Sequence, residues 1–152
     1  MHLVGNKPRS PAPAGERDKI DRKVLLWLNT FPEKPLDTFT TESHLSPGST
    51  GMALGAITSA YINWRDILGG YGAEYQFRVI YRIKPAGSVD KSLQADELLN
   101  RLGDWAERNP PDLGDGIRVE SAGPVSQAEL HSLWENGDED HQILMKLTYE
   151  VM

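Results

Sequence analysis

EYQFRVIYRI, residues 74–83, alternates large apolar side chains with mostly polar ones. The apolar side chains occupy every odd position: Tyr75, Phe77, Val79, Tyr81 and Ile83. Successive side chains of a β-strand point to opposite faces, so this pattern predicts a strand with one face that must be covered. The other face carries Glu74, Arg78 and Arg82, which contact either water or another protein.

Two amphipathic helices are predicted, one before and one after this strand in the sequence. Their apolar stripes are the candidates for covering the apolar face of the strand. The first helix begins at Glu16 and ends before Pro32, and the second follows the turn at 85–88 and ends at Pro110. Ser88 or Asp90 can cap the second helix. The apolar positions of the two helices recur at helical spacing: Ile20, Val24, Leu25, Trp27, Leu28 and Phe31 in the first, and Leu93, Leu98, Leu99, Leu102, Trp105 and Ala106 in the second.

Further strands are predicted before and after the second helix. Residues 52–57 and 61–68 are typical of two short strands around a turn, and the glycines of 69–72 indicate a hairpin turn. Residues 116–122 and 141–151 alternate again, whereas residues 126–140 suit either a turn of helix or, as the favoured reading, an irregular strand. The predicted fold class is α+β, with a mostly antiparallel sheet and both helices packed on one face.

The domain organisation follows from length and composition. Residues 1–15 contain a proline-rich stretch without apolar periodicity, which predicts a flexible N-terminal arm. Residues 16–152 have the size of a single domain. Residues 32–51, rich in Pro, Ser, Thr and Gly, are predicted to form a long loop that can reach a partner.

Composition and charge exclude several classes of protein. The chain of 152 residues is 39% hydrophobic and 25% charged, which is typical of a soluble globular protein, and no apolar run reaches the ~20 residues of a membrane helix. The N-terminus has no signal-like apolar segment, so we expect a cytoplasmic protein. Residues 110–152 carry two Lys/Arg and nine Asp/Glu, which disfavours tight nucleic-acid binding there.

The sequence offers no recognisable catalytic, cofactor-binding or metal-binding constellation. The chain has no cysteines, which removes thiolate chemistry, and its four histidines stand apart from one another. The acidic stretch at 135–141 lacks the spacing of a calcium loop. We therefore expect a protein that is not an enzyme and has no cofactor.

Three segments together resemble a family of minor capsid proteins from long-tailed phages, which look like tail terminators. The resemblance covers roughly residues 61–152 and includes an aromatic strand, a helix ending in Trp followed by a Pro-x-Leu turn, and a closing strand. The matching residues are Tyr75, Phe77 and Arg82, then Trp105, Pro111 and Leu113, and finally Gln142, Ile143, Leu147 and Tyr149. Pro110 and His141 depart from the family pattern, which has Leu and Tyr there.

The resemblance implies a structural virion protein and a tail-terminator-like fold. Such a protein forms a homo-oligomeric ring, expected here to be a hexamer, at the head-proximal end of the tail tube. The ring stops tube polymerisation and joins the tail to the head. Its implied partners are further copies of itself, the major tail tube protein and the head-completion or connector protein, while DNA passes through without specific binding. Assembly takes place in the host cytoplasm, and no membrane is involved.

A ring subunit needs a surface that docks on its neighbour, and charge suggests one. Arg78 and Arg82 lie on the same face of the aromatic strand. Acidic residues after the ambiguous segment are their predicted complement in the next copy: Glu135, Asp138, Glu139 and Asp140.

Two other functions compete with the ring protein on sequence grounds. One is a monomeric or dimeric α+β domain, ligand-binding or enzymatic, with an apolar cleft between helices and sheet. The other is a regulator that binds nucleic acid through its basic N-terminal arm.

Overall fold

The computed structural model of the chain describes residues 10–12, 14–34 and 39–152. Its elements, in chain order, are β1 (Ser10–Pro11), α1 (Ala14–Leu28), β2 (Thr40–Thr41), a 3-10 turn (Glu42–His44), β3 (Gly51–Arg65), β4 (Tyr71–Ile83), α2 (Val89–Arg108), β5 (Ile117–Pro124), β6 (Glu129–Leu133) and β7 (Glu139–Val151). These elements form an α+β fold with a mostly antiparallel sheet and two α-helices, which confirms the predicted fold class.

The sheet is built around β4 and β7, which pair antiparallel without a register shift from Tyr71↔Val151 to Ile83↔Glu139. β3 pairs with the other side of β4, and the short strands β1 and β2 pair with β3. β5 and β6 follow one another along the outer side of β7. The aromatic strand predicted at 74–83 is therefore an interior strand of the sheet.

The odd-numbered side chains of β4 and β7 face the two helices and form the core. This set is buried: Tyr75, Phe77, Val79, Ile143, Met145, Leu147 and Tyr149. Between the helices, the Trp105 ring stacks on Trp27 at 5.3 Å and lies 5.4 Å from Phe31. The Trp27 indole donates a hydrogen bond to the Asn109 carbonyl at 2.7 Å, so the end of α2 is fixed to α1. The two apolar stripes cover the odd face of the sheet, as predicted.

Helix α2 begins where the sequence predicts, but one residue of its predicted apolar stripe is not buried. The Ser88 hydroxyl accepts a hydrogen bond from the Lys91 amide and is the N-cap. Leu93, expected on the buried stripe, is exposed instead. It belongs to the first turns of α2, whereas the buried residues of the helix begin at Ala95.

The prediction of two short strands at 52–57 and 61–68 is wrong, because β3 is one continuous strand. Its pairing with β4 shifts register at three places between Ala56 and Trp64, so bulges absorb the irregular sequence that resembled a turn. The turn after β3 lies at 66–70, where Gly69 has a φ of +94°. Gly72 is already inside β4, against the Trp64 indole, which would overlap any side chain at this position.

The segments expected as arm and loop are partly integrated into the sheet. Ser10 and Pro11 pair with β3, Ala12 is buried, and α1 begins at Ala14. The flexible arm predicted for 1–15 therefore does not extend over residues 10–12, and residues 1–9 lie outside the described residues. Within the predicted loop, Phe39 is buried and β2 pairs parallel to β3, while residues 35–38 also lie outside the described ones.

We predict that Trp105→Ala lowers the free energy of unfolding by about 3 kcal/mol, because truncating an aromatic side chain that packs against the core leaves a cavity. Denaturant unfolding followed by circular dichroism measures the change. Leu93→Ala on the same helix is the control, and it should cost well under 1 kcal/mol because Leu93 is exposed. Equal effects of the two substitutions would contradict the packing between α1 and α2.

Candidate assembly surfaces

Arg82 is the centre of a buried ion pair on the even-numbered face of the sheet, away from the helices. Its guanidinium donates two hydrogen bonds to Asp140, its cross-strand neighbour, at 2.7 and 3.0 Å. It also donates to the carbonyls of Leu45 and Ser46 and lies 4.7 Å from the centre of the Trp134 ring. Arg82 and Asp140 are only 7% and 4% exposed. The hydrogen bond to Asp140 raises the pKa of Arg82, so this residue stays charged.

This arrangement corrects the predicted docking surface for three of its residues. Arg82, Asp138 and Asp140 are buried within one chain, so they are not an exposed face that waits for a neighbouring copy. Asp138 lies 3.7 Å from the Lys84 ammonium. The physical reason is that the segment after the 3-10 turn and the β6–β7 turn both fold over this end of the even face.

The other residues of the predicted surface remain accessible to different degrees. Arg78 pairs with Glu42 through two hydrogen bonds of 2.7 and 2.8 Å, and its side chain keeps 27% exposure. Glu135 is exposed, and Glu139 is half-buried against α2. Contact of Arg78 or Glu135 with a second copy stays a prediction.

A second polar cluster joins the start of α2 to β7. His141, which is fully buried, lies between the carboxylates of Asp96 (2.7 Å from Nδ1) and Glu139 (2.9 Å from Nε2). The Ser92 hydroxyl donates to Glu139 at 2.7 Å, and this bond, followed by that of His141, lowers the pKa of Glu139. Each ring nitrogen of His141 faces one of the two carboxylates, so the imidazole connects α2 to β7.

Ser92, His141 and Asp96 are the residue types of a hydrolytic triad, but their arrangement is structural. The Ser92 oxygen is 3.4 Å from His141 Nε2 and gives its shorter hydrogen bond to Glu139. The imidazole has no exposed surface that a substrate can reach. Among the residues that the structure describes, no group of three His, Asp or Glu is placed to hold a metal ion. This cluster was not predicted from the sequence, although the alternation in β7 places His141 on the face that the helices cover.

Among the residues that the structure describes, apolar side chains are exposed at a turn, along a groove and on an edge strand. The first, here called the hairpin tip, consists of Ile67 and Leu68, which are 72% and 91% exposed. The tip is ordered by Asp66, whose carboxylate accepts hydrogen bonds from the amides of Leu68 (2.8 Å) and Gly70 (3.1 Å). Its side chains are therefore presented outward on a fixed turn.

The second surface is a groove between α1 and β3, here called the helix groove. Its volume is about 1160 Å³, and its lining combines apolar and polar side chains: Leu25, Leu26, Leu54 and Ala56, with Asp21, Arg22, Thr41, Glu42 and Ser43. The side chain of Tyr75 lies in the groove's lining. Burial raises the pKa of the Tyr75 hydroxyl, and the Asp21 carboxylate adds to the rise. The floor of the groove is thus an uncharged phenol.

The third surface is the outer side of β6, here called the β6 edge. β6 pairs with β7 on one side only, among the strands that the structure describes. Leu130 and Leu133 on the strand, and Trp134 directly after it, are all exposed. An edge strand with exposed apolar side chains invites contact with another chain.

The acidic C-terminal third keeps only part of its charge at the surface. Asp138 and Asp140 are buried and paired with cations, and Glu139 and Glu150 are half-buried. The remaining carboxylates are exposed: Asp112, Asp115, Glu120, Glu129 and Glu135. The net negative charge of this region is therefore carried mainly around β5 and β6.

Comparisons with known proteins assign the chain to no family. No protein-family model matches its sequence, and no curated protein matches it either. Neither α1 nor α2, the α-helices described, has the length and apolar composition that a bilayer-spanning helix needs. The function must therefore be inferred from the chain's own surfaces.

We predict that Arg82→Met lowers the free energy of unfolding by about 3–5 kcal/mol, because it leaves the Asp140 carboxylate buried without its partner. The double variant Arg82→Met with Asp140→Leu should recover most of this loss. Arg118→Met is the matched control, since Arg118 pairs with Glu150 at an exposed position and should contribute at most about 1 kcal/mol. Chemical denaturation of the wild type, Arg82→Met, the double variant and Arg118→Met measures these differences. A double variant as unstable as Arg82→Met would contradict the buried pair.

The lowered pKa of Glu139 predicts a stability that depends on acid pH. A carboxylate with a lower pKa in the folded state contributes stability that is fully present above its unfolded pKa, ~4.3, and is lost as the pH falls through the folded pKa. Glu139→Gln should therefore flatten the decline in unfolding free energy as the pH falls below about 4.3.

Glu16→Gln is the comparison variant for this experiment, because the pKa of Glu16 is shifted in the opposite direction to that of Glu139. Burial raises the pKa of Glu16, so its charged form is disfavoured in the folded state and the substitution should not lower stability at pH 7. Urea unfolding at a series of pH values measures both variants. A Glu139→Gln protein with the wild-type decline would show that the carboxylate is not held by Ser92 and His141.

Proposed function

We propose that this protein is a phage tail terminator, a structural subunit of a homo-oligomeric ring at the head-proximal end of the tail tube. In this role it stops tube polymerisation and joins the tail to the head connector. The resemblance of three segments to minor capsid proteins of long-tailed phages supports the proposal. The residues that carry this resemblance include Tyr75, Phe77 and Tyr149, which are buried and maintain the fold.

The single observation that carries the proposal is that the described residues expose apolar side chains at several separate places on one small domain. The hairpin tip, the helix groove and the β6 edge lie on different elements. Contiguous exposed apolar patches larger than a few hundred Å² are rare on monomeric soluble proteins and mark interaction sites. A subunit with several such surfaces is suited to contact more than one neighbour at once, as a ring that is also stacked on a tube must do.

The polar clusters support a structural role over a chemical one. The Arg82–Asp140 pair and the His141 cluster connect elements within the chain and are closed to a substrate. The exposed carboxylates around β5 and β6 would repel a DNA duplex, which suits a ring through which DNA slides without specific binding.

The proposal predicts a closed ring in solution. Light scattering after size exclusion should give a mass about six times the 16.9 kDa of one chain, and negative-stain micrographs should show rings. Added to growing tail tubes of the phage that encodes it, the protein should bind one end and stop elongation.

Substitutions at the β6 edge test whether this surface contacts the tube. Leu130→Asp with Leu133→Asp should reduce capping of the tube, whereas Leu93→Asp, an equally exposed leucine on α2, should not. A monomer at all concentrations that binds a small metabolite would favour the ligand-binding or enzymatic domain instead. Salt-sensitive retention of duplex DNA would favour a nucleic-acid regulator.

A further inference from the structure

Residues 40–50, here called the strap, lie against the face of β4 that points away from the helices. The strap consists of β2, the 3-10 turn and residues 45–50, which lead into β3. Every residue from 40 to 50 keeps part of its surface exposed, whereas Phe39 before the strap and Met52 after it are buried. The strap therefore adds no buried side chain to the core, and polar contacts must hold it in place.

Two arginines of β4 supply most of these contacts. Arg78 donates two hydrogen bonds, of 2.7 and 2.8 Å, to the Glu42 carboxylate. Arg82 donates to the carbonyls of Leu45 and Ser46 at 3.3 and 3.2 Å. The two-residue pairing of β2 with β3 is a further link. Since residues at even spacing share one face of a strand, both arginines hold the strap from the same side.

Gly55 in β3 makes room for the first of these contacts. A Cβ at this position would overlap the Glu42 carboxylate and touch Nε of Arg78. Gly55 is not among the residues with a positive φ, so its backbone does not require glycine. The missing side chain at position 55 thus serves the contact between strap and sheet.

The face beneath the strap contains buried groups in an unfavourable environment. Ile80 lies between the two arginines on the same face and is only 2% exposed. Its cross-strand neighbour Gln142 is also buried. Within the described part of the chain, neither Oε1 of Gln142 nor Nε of Arg78 has a hydrogen-bond partner, although both atoms are buried. Buried polar atoms without partners cost free energy, which water recovers when the strap opens.

We propose that the strap is a salt-sensitive cover that opens as a unit while the rest of the domain stays folded. The Arg78–Glu42 pair is partly exposed, with side-chain exposures of 27% and 42%, so dissolved salt screens it. The Arg82–Asp140 pair is buried, at 9% and 6%, and joins β4 to β7, so it is screened much less. Rising ionic strength therefore loosens the strap and leaves the sheet intact.

Opening of the strap changes the surface that the sheet offers to other molecules. It uncovers the apolar side chain of Ile80 and frees the guanidinium of Arg78 from Glu42. Segments that open at low cost are the ones on which binding and regulation draw. The opening is a property of the single chain, so it does not depend on the proposed ring.

Thiol labelling tests the cover directly, because the natural chain contains no cysteine. Ile80→Cys places a thiol under the strap. Val79→Cys is the matched variant, since it places a thiol on the opposite face, under the helices, where Val79 has no exposed surface. With a thiol reagent in native buffer, Ile80→Cys should react at least about tenfold faster than Val79→Cys, because local opening costs less than unfolding.

Salt should change the ratio of these two labelling rates. Raising it from about 0.01 M to about 1 M shortens the Debye length from about 30 Å to about 3 Å and should raise the ratio roughly three- to fivefold. Hydrogen exchange of the unaltered chain gives the same comparison without a substitution. Peptides from residues 40–50 should exchange faster at high salt, whereas peptides from β7 should not.

Two substitutions in the Ile80→Cys background should loosen the strap without added salt. Arg78→Met removes the pair with Glu42, and Gly55→Ala displaces it. Each should speed labelling roughly three- to fivefold at low salt and remove most of the dependence on salt, since the screened pair is already broken.

Arg101→Met in the same background is the matched control. It breaks another exposed ion pair, that of Arg101 with Glu33, which lies away from the strap, and it should leave labelling unchanged. Equal labelling rates for Ile80→Cys and Val79→Cys would show that this face opens only with the whole domain and would overturn the inference. A labelling rate of Ile80→Cys that neither salt nor Arg78→Met alters would overturn it as well.

Discussion

The antiparallel pairing of β4 with β7 is the constraint on which the rest of the structure depends. The two strands run in register over their whole length, so each face of the pair is a continuous surface. One face carries the aromatic and aliphatic core that holds both helices, and the other brings Arg82 opposite Asp140. β3, β5 and β6 are attached to the outer sides of this pair. A shift of one residue would move every core side chain to the wrong face and separate the buried charges.

Much of the fold could be predicted from the sequence, because periodicity reports which side of an element is covered. The alternation in β4 and β7, the stripe of α2 and its Ser88 cap are local signals, and each was sufficient to place its element. The continuity of β3 could not be predicted, since a bulged strand with Ser and Gly has the same local composition as a turn.

The candidate surfaces were predicted less well than the fold, and Arg82 shows the reason. Alternation assigns Arg82 to the face opposite the core, but it does not report whether a distant segment covers that face. Leu45, Ser46 and Trp134 do so, and their contacts with Arg82 span large separations along the chain. The same holds for His141, whose partner Asp96 lies on a different element. Charged residues that look free in the sequence therefore proved to hold the chain together.

The irregular edge formed by β3 has a consequence for the protein before assembly. Three register shifts interrupt the regular spacing of the strand, and β1 and β2 each occupy a two-residue portion of its outer side. A straight strand from another molecule therefore cannot pair along its whole length, which is how natural sheets avoid edge-to-edge aggregation. Newly made chains are thus protected against pairing through this edge of the sheet.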